Sequence, residues 1–250
     1  MTESATASPS AGSILGNRFR GHVERDWTEW RERHFYPDAA AVPHDAERAW
    51  ITRDKRNWAG IGARPALRHL VAANVDQPLL DEIGNLRDLE RLELEWPTLA
   101  SDLAPLLNLT KLRFLSIDSP RKLADFAPLL DLPALRTLLI TNAKAMTDLA
   151  WLRGATRLEV IGIEGGMLSP YTIPSLDPLA SLPGLRAFLG VSTKLADRRL
   201  MPLAECPALE FVQIACVAPR TEFGRLHAAR PDIHCDWFDP DLPDTLFPRR

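Results

Sequence analysis

Four carboxylates are the first residues to weigh as chemistry. Glu93, Glu95, Asp118 and Glu164 are spaced so that a coiled chain would bring them to inward strand positions on neighbouring coils, where two of them could share acid-base work. Such a pair needs an enclosed pocket to drive its two pKa values apart, and an open parallel sheet leaves both groups hydrated and ordinary. His227, His234 and Cys235 form the other set with ligating atoms, but their spacing matches no metal motif. The chain carries no G-x-x-x-x-G-K-S/T, no G-x-S-x-G and no H-E-x-x-H, the signatures of a phosphate loop, a hydrolase nucleophile and a zinc protease. Gly60-Ile61-Gly62 is too short to serve as a glycine loop. The residues point to no catalytic centre, no cofactor and no metal, so the chain is expected not to be an enzyme.

Composition narrows the remaining classes. With 250 residues, 46% of them hydrophobic, the chain can bury a core of its own. Thirty Lys and Arg stand against 33 Asp and Glu, and the net charge of -3 gives no long-range pull on phosphate backbones or anionic lipid. Nucleic acid and membrane are therefore not expected as partners. No run of about twenty apolar residues occurs, and the first residues lack a secretory pattern, so a cytoplasmic location is expected. Cys206, Cys216 and Cys235 show no C-x-x-C spacing and read as buried, reduced thiols.

What positions any functional residue is a repeated phrase. LRDLERLELEW (86–96), LTKLRFLSIDS (109–119), LPALRTLLITN (132–142) and ATRLEVIGIEG (155–165) are variants of one sentence. The phrase drifts but persists as RPALRHLVAAN from Arg64, LPGLRAFLGVS from Leu182 and CPALEFVQIAC from Cys206, with a faint copy around Ile233. The leading apolar residues are Leu67, Leu89, Leu112, Leu135, Leu158, Leu185, Leu209 and Ile233, at intervals of 22, 23, 23, 23, 27, 24 and 24 residues. A second phrase, DLAPLLNL from Asp102, DFAPLLDL from Asp125, DLAWLRGA from Asp148 and SLDPLASL from Ser175, begins ten residues before the next leading leucine. Its aspartate or serine reads as a helix N-cap, with proline tolerated in the first turn.

The L-x-x-L-x-L triplets Leu89/Leu92/Leu94, Leu112/Leu115/Ile117 and Leu135/Leu138/Ile140 resemble the leucine-rich-repeat family. The D-x-x-P-L phrase is similar to bacterial internalin-like and SDS22-like repeats of this period. The resemblance covers residues 64–238 in seven clear units and one degenerate one. It implies an α/β solenoid: an arc with a parallel β-sheet on the concave face, short helices or 3₁₀ turns on the convex face, and capped ends. It also implies protein binding. The usual asparagine after the strand is present at Asn74 and Asn142 and replaced by Trp96, Ser119, Gly165, Ser192 or Cys216 elsewhere, which predicts an incomplete asparagine ladder.

Residues 1–13, rich in Ser, Ala, Thr and Pro, are expected to be a disordered tail. Residues 14–63 are expected to form a partly helical N-terminal cap, since Val23, Trp27, Trp30 and His34 recur at helical steps in 22–35, with Tyr36, Trp50 and Trp58 behind them. A solenoid needs such a cap over its open first coil. The rival reading makes those tryptophans a binding site. Residues 239–250 are expected to close the other end, Leu242, Leu246 and Phe247 covering the last coil.

On this phase the concave face carries a charged zone of Arg91, Glu93, Glu95 and Asp118 beside an apolar row of Phe114, Leu139, Val160, Leu189, Val191 and Phe211. Nothing in the repeat requires that row to be apolar, so glutamates at Phe114, Leu139 and Phe211 are expected to leave the fold intact. An apolar centre with a charged rim is how protein interfaces are commonly built. The alternative is that the row is covered by the N-terminal segment or by a second copy, though a monomer is expected. The long 27-residue interval lies in EGGMLSPYTIPS, an inserted rim loop (164–174) in which Tyr171 is the expected anchor beside Glu164. The function expected is non-catalytic recognition of a protein partner on the concave face and this loop. The alternative is a self-associating scaffold, and beyond it an enzyme with an unrecognised site.

Overall fold

The computed structural model describes residues 19, 27–166, 169–180 and 182–248. The expected tail 1–13 and the start of the 22–35 helix lie outside them. Within them the strands are β1 (Arg48–Thr52), β2 (His69–Ala73), β3 (Arg91–Glu95), β4 (Phe114–Asp118), β5 (Thr137–Thr141), β6 (Val160–Glu164), β7 (Tyr171–Ile173), β8 (Ala187–Gly190), β9 (Thr193–Leu195) and β10 (Phe211–Ile214). Eight form one sheet in the order β1-β2-β3-β4-β5-β6-β8-β10, with every pairing parallel. The other two, β7 and β9, pair in parallel as a small separate sheet.

Strand alternation sorts each coil's residues onto two faces. Leu70, Leu92, Leu115, Leu138, Ile161, Phe188 and Val212 sit in register on successive strands and point into the core, all 2% exposed or less. The residues between them form concave columns. The middle one runs Trp50, Val71, Glu93, Ser116, Leu139, Gly162, Leu189, Gln213.

The convex side is made of 3₁₀ turns, Ala104–Asn108, Ala127–Asp131, Ala150–Gly154, Asp177–Leu179 and Met201–Glu205. The aspartate of the second phrase acts one residue earlier than an N-cap. Asp102, Asp125 and Asp148 each accept from the amide two residues on, that of Ala104, Ala127 and Ala150, at 2.8, 2.9 and 2.8 Å. Asp76 is a true N-cap, accepting from Leu79 N at 3.2 Å, and its coil carries a seven-residue α-helix (Gln77–Ile83).

The two ends of the solenoid are built differently from its middle coils. β1 lies inside the segment 14–63, so a strand that lacks the repeat motif adds a coil before the first leucine phrase. The first helix, α1 (Trp27–His34), places Trp30 over the concave face, where Trp30, Trp50 and Val71 make a buried cluster. Trp58, 8% exposed with its indole N–H donating to Lys55 O at 3.1 Å, packs on the first coil's core together with Ala39, Val42 and Ile61. Counting the convex helix Gln77–Ile83 as α2, the last coil is closed by α3 (Arg220–Ala229), whose Phe223 and Leu226 are buried. Arg230 donates to Cys206 O and Leu209 O at 2.6 and 2.8 Å and so ties α3 to the last coil. Phe247 packs on Phe223 and Trp237, but Leu246, expected in the same role, is 50% exposed. Among the described residues no helix is long and apolar enough to cross a membrane.

Candidate protein-binding surface

The charged zone of the concave face is tied within itself. Glu93, 5% exposed, accepts from Arg91 Nε at 3.0 Å, and its Oε1 lies 3.0 Å from His69 Nε2. Arg91 lies flat over Phe114, its guanidinium carbon 3.5 Å from the ring centroid, and Trp30 covers His69 with centroids 4.9 Å apart. Glu95 and Glu164, one strand position from the rim, are half-buried and already engaged. Asp118, also half-buried, accepts from Ser119 Oγ at 2.8 Å. Burial pushes its carboxyl above the usual range, and the Ser119 hydroxyl only partly offsets this.

The apolar row is brought together and is not open, except for Val191, which follows the end of β8 and is 42% exposed. Phe114, Leu139, Val160, Ala187, Leu189 and Phe211 make one buried cluster against which Phe19 packs. Phe19 stacks on Phe211 with centroids 5.2 Å apart, and His234 stacks on Phe211's ring at 5.6 Å. The expectation that the row is free for a partner is therefore corrected in its geometry: the chain's own Phe19 and Trp30 occupy opposite ends of the concave face. The reason the row is apolar is intramolecular. Glutamates at Phe114, Leu139 and Phe211 would bury carboxylates without partners, at several kcal/mol or more, and are no neutral probe.

Tyr171 is held by the fold. Its hydroxyl donates to Met146 O at 3.0 Å, and its backbone belongs to β7 beside β9. Burial, helped by Asp148, raises the phenol above its ordinary value. Of the inserted loop, Met167 and Leu168 lie outside the described residues.

The rim where the strands end carries what the sequence reading passed over. Trp96, noted only as a missing ladder asparagine, is 61% exposed, the most exposed of the large hydrophobic side chains among the described residues. The Arg121 guanidinium lies 5.9 Å from its ring centroid. With Ser119, Asn142 and Lys144 these residues line a cleft of about 360 Å³. Its walls are fixed by hydrogen bonds: Thr98 N to Asp118 O at 3.1 Å, Arg121 N to Thr98 O at 3.1 Å, Ser119 N to Thr141 O at 2.8 Å, and Asn142 Nδ2 to Ser119 Oγ at 2.8 Å. Ser119 and Asn142 hold φ of 49° and 56°, the left-handed turn that swings the chain out of the sheet and sends the residue two places on, Arg121 or Lys144, to the rim. Two signals in the sequence marked this place. A tryptophan stands where the repeat wants a small polar residue, and a cation follows the ladder position by two in consecutive coils.

Among the described residues, no group of three His, Cys, Asp or Glu side chains is arranged to hold a metal ion. Cys235 is buried, and its thiol is pushed up to about 12 by burial.

No protein-family model and no curated protein sequence matches the chain. Among solved structures, a leucine-rich-repeat protein of Leptospira interrogans aligns over 80% of this chain and 57% of its own, with 16% identity and a TM-score of 0.53. An internalin of Listeria monocytogenes aligns over 67% of this chain and 45% of its own, at 23% identity and a TM-score of 0.47. A second internalin from that bacterium gives 20% identity, 75% coverage of each chain and a TM-score of 0.43. This chain thus spans about half the length of the first two proteins. The ladder of parallel strands and the Leptospira alignment together establish the fold, and the chain is a leucine-rich-repeat solenoid.

Proposed function

We propose that this chain is a non-catalytic module that recognises a protein partner through the rim at the ends of β3 to β5, with Trp96 as its anchor. The observation that carries the reading is the contrast between the two surfaces. The concave apolar row is spent on Phe19, whereas Trp96 stands 61% exposed beside a walled cleft. An exposed tryptophan with an arginine against it is the composition from which binding hot spots are made. The three cysteines are free thiols, which fits a reducing compartment such as the cytoplasm.

The test is a paired capture. Wild-type chain and Trp96→Ala are immobilised and exposed to the same lysate of the native host, with matched thermal melts to verify folding. The reading expects at least one protein retained by wild type and depleted about tenfold or more by the variant, the loss of one hot spot. Equal retention of every bound protein contradicts it.

A further inference from the structure

The charged side chains that line the cleft, Arg121 and Lys144, are both cations. Arg121, Lys122 and Lys144 are exposed, and among the described residues none of them makes an ion pair. The carboxylates on the adjoining concave column are in a different condition: Glu95 and Glu164 are already engaged, and Asp118 takes the Ser119 hydroxyl. A molecule arriving at the rim therefore meets open cations beside an apolar ring, although the whole chain carries a net charge of -3.

Resting on the recognition reading above, we propose that the cleft between Trp96 and Lys144 docks an acidic peptide segment of the partner protein. Its carboxylates lie on Arg121 and Lys144, and a neighbouring apolar side chain lies on the Trp96 ring. The guanidinium of Arg121 takes a carboxylate in two parallel hydrogen bonds, while the Lys144 ammonium acts as a point charge that tolerates variation in spacing. A volume of about 360 Å³ admits a few side chains and no folded domain, so the occupant is an extended segment or a loop tip. A free inorganic anion would use the cations and leave the tryptophan face idle. A nucleic acid would find only a short run of cations on a chain of opposite net charge, far from the basic surface that phosphate backbones demand.

The experiment is peptide selection on the full chain. A phage library of random peptides about 12 residues long is panned on wild type, and synthetic peptides from the enriched set are titrated against wild type, Trp96→Ala and the Arg121→Glu/Lys144→Glu double variant. All altered side chains are at the surface, and circular dichroism verifies that both variants are folded. The proposal expects enrichment of sequences pairing Asp or Glu with an apolar residue. It expects affinity to fall about tenfold or more in each variant, and to weaken severalfold between about 50 and 500 mM salt as the exposed charges are screened. Enrichment of neutral or basic peptides overturns it, as does equal affinity for the charge-reversed variant, or no enrichment. A fluorescent uridine 12-mer is run alongside, and binding that the charge reversal abolishes would reassign the site to nucleic acid. Neutral peptides lost on Trp96→Ala would remove the acidic specificity and keep the rim as the recognition surface. Peptides indifferent to both variants would remove both.

Discussion

Glu93 shows how a residue that reads as a site can be spent on structure. Buried at 5% exposure, it accepts from Arg91 and lies within hydrogen-bond reach of His69, on whose ring Trp30 packs. Glu93→Ala should therefore lower the free energy of unfolding in urea by about 1–3 kcal/mol, because it leaves polar partners under that cover unsatisfied. Glu93→Gln, which keeps an acceptor, should cost less. Asp118 behaves differently, since burial holds its carboxyl above the ordinary value and ionisation is harder in the folded chain than in the unfolded one. The folded state then binds the proton more tightly, so stability falls as pH rises from the unfolded pKa through the folded one. Urea midpoints of wild type and Asp118→Asn, compared at about pH 3 and pH 7, should show the variant gaining on wild type at the higher pH. A constant difference would refute this. At this scale the sequence named residues well and their roles poorly. Alternation put Arg91, Glu93 and Phe114 on the concave face correctly, but strand alternation carries no information on what lies above a face. Trp96 escaped notice because the repeat pattern describes what a position usually holds, so a departure reads as decay before it reads as function.

The elements were more legible than the residues, because each coil repeats the same local physics. Two inward aliphatics on a strand, a left-handed turn and an aspartate before a short convex turn recur in sequence and in space. The left-handed turns at Asn74, Ser119, Asn142 and Ser192 fall on four of the seven ladder positions, two held by serine in place of asparagine. All four also hydrogen-bond through their side chains, so the ladder is kept at these positions and lost at Trp96, Gly165 and Cys216 in backbone shape. β1 had no such signature, since Ala49 and Ile51 replace the leucines and no leading leucine precedes them. The convex layer is closely packed where α2 ends. A methyl group added at Gly84 would meet Pro105 O at 2.6 Å and Pro105 Cβ at 2.9 Å, one of them a backbone atom of the next coil. Gly84→Ala should accordingly destabilise the chain by about 1–3 kcal/mol through overpacking, even though Gly84 itself has the helical φ of -58° that alanine favours. A melting temperature unchanged or raised would show that α2 and the next turn can separate at no cost.

For the whole molecule, iteration made the solenoid visible from the chain alone, since a stack of similar coils is specified one neighbour at a time. Closure of the concave face by the N-terminal segment stood in the sequence only as the alternative reading, because it joins residues far apart in the chain and leaves no period behind. Phe19 reaches Phe211 on β10, and Trp30 sits over β1 and β2, so a segment before the first coil contacts both ends of the array. That arrangement removes the apolar row from the surface, which is the premise of the functional reading. The most direct test is a double-mutant cycle between Phe19 and Phe211, measured by urea unfolding of wild type, Phe19→Ala, Phe211→Ala and the double variant. A closed concave face predicts a favourable coupling of about 0.5–1.5 kcal/mol, the usual worth of an aromatic pair. Strictly additive single effects would mean that Phe19 does not cover the row and that the concave face is open after all.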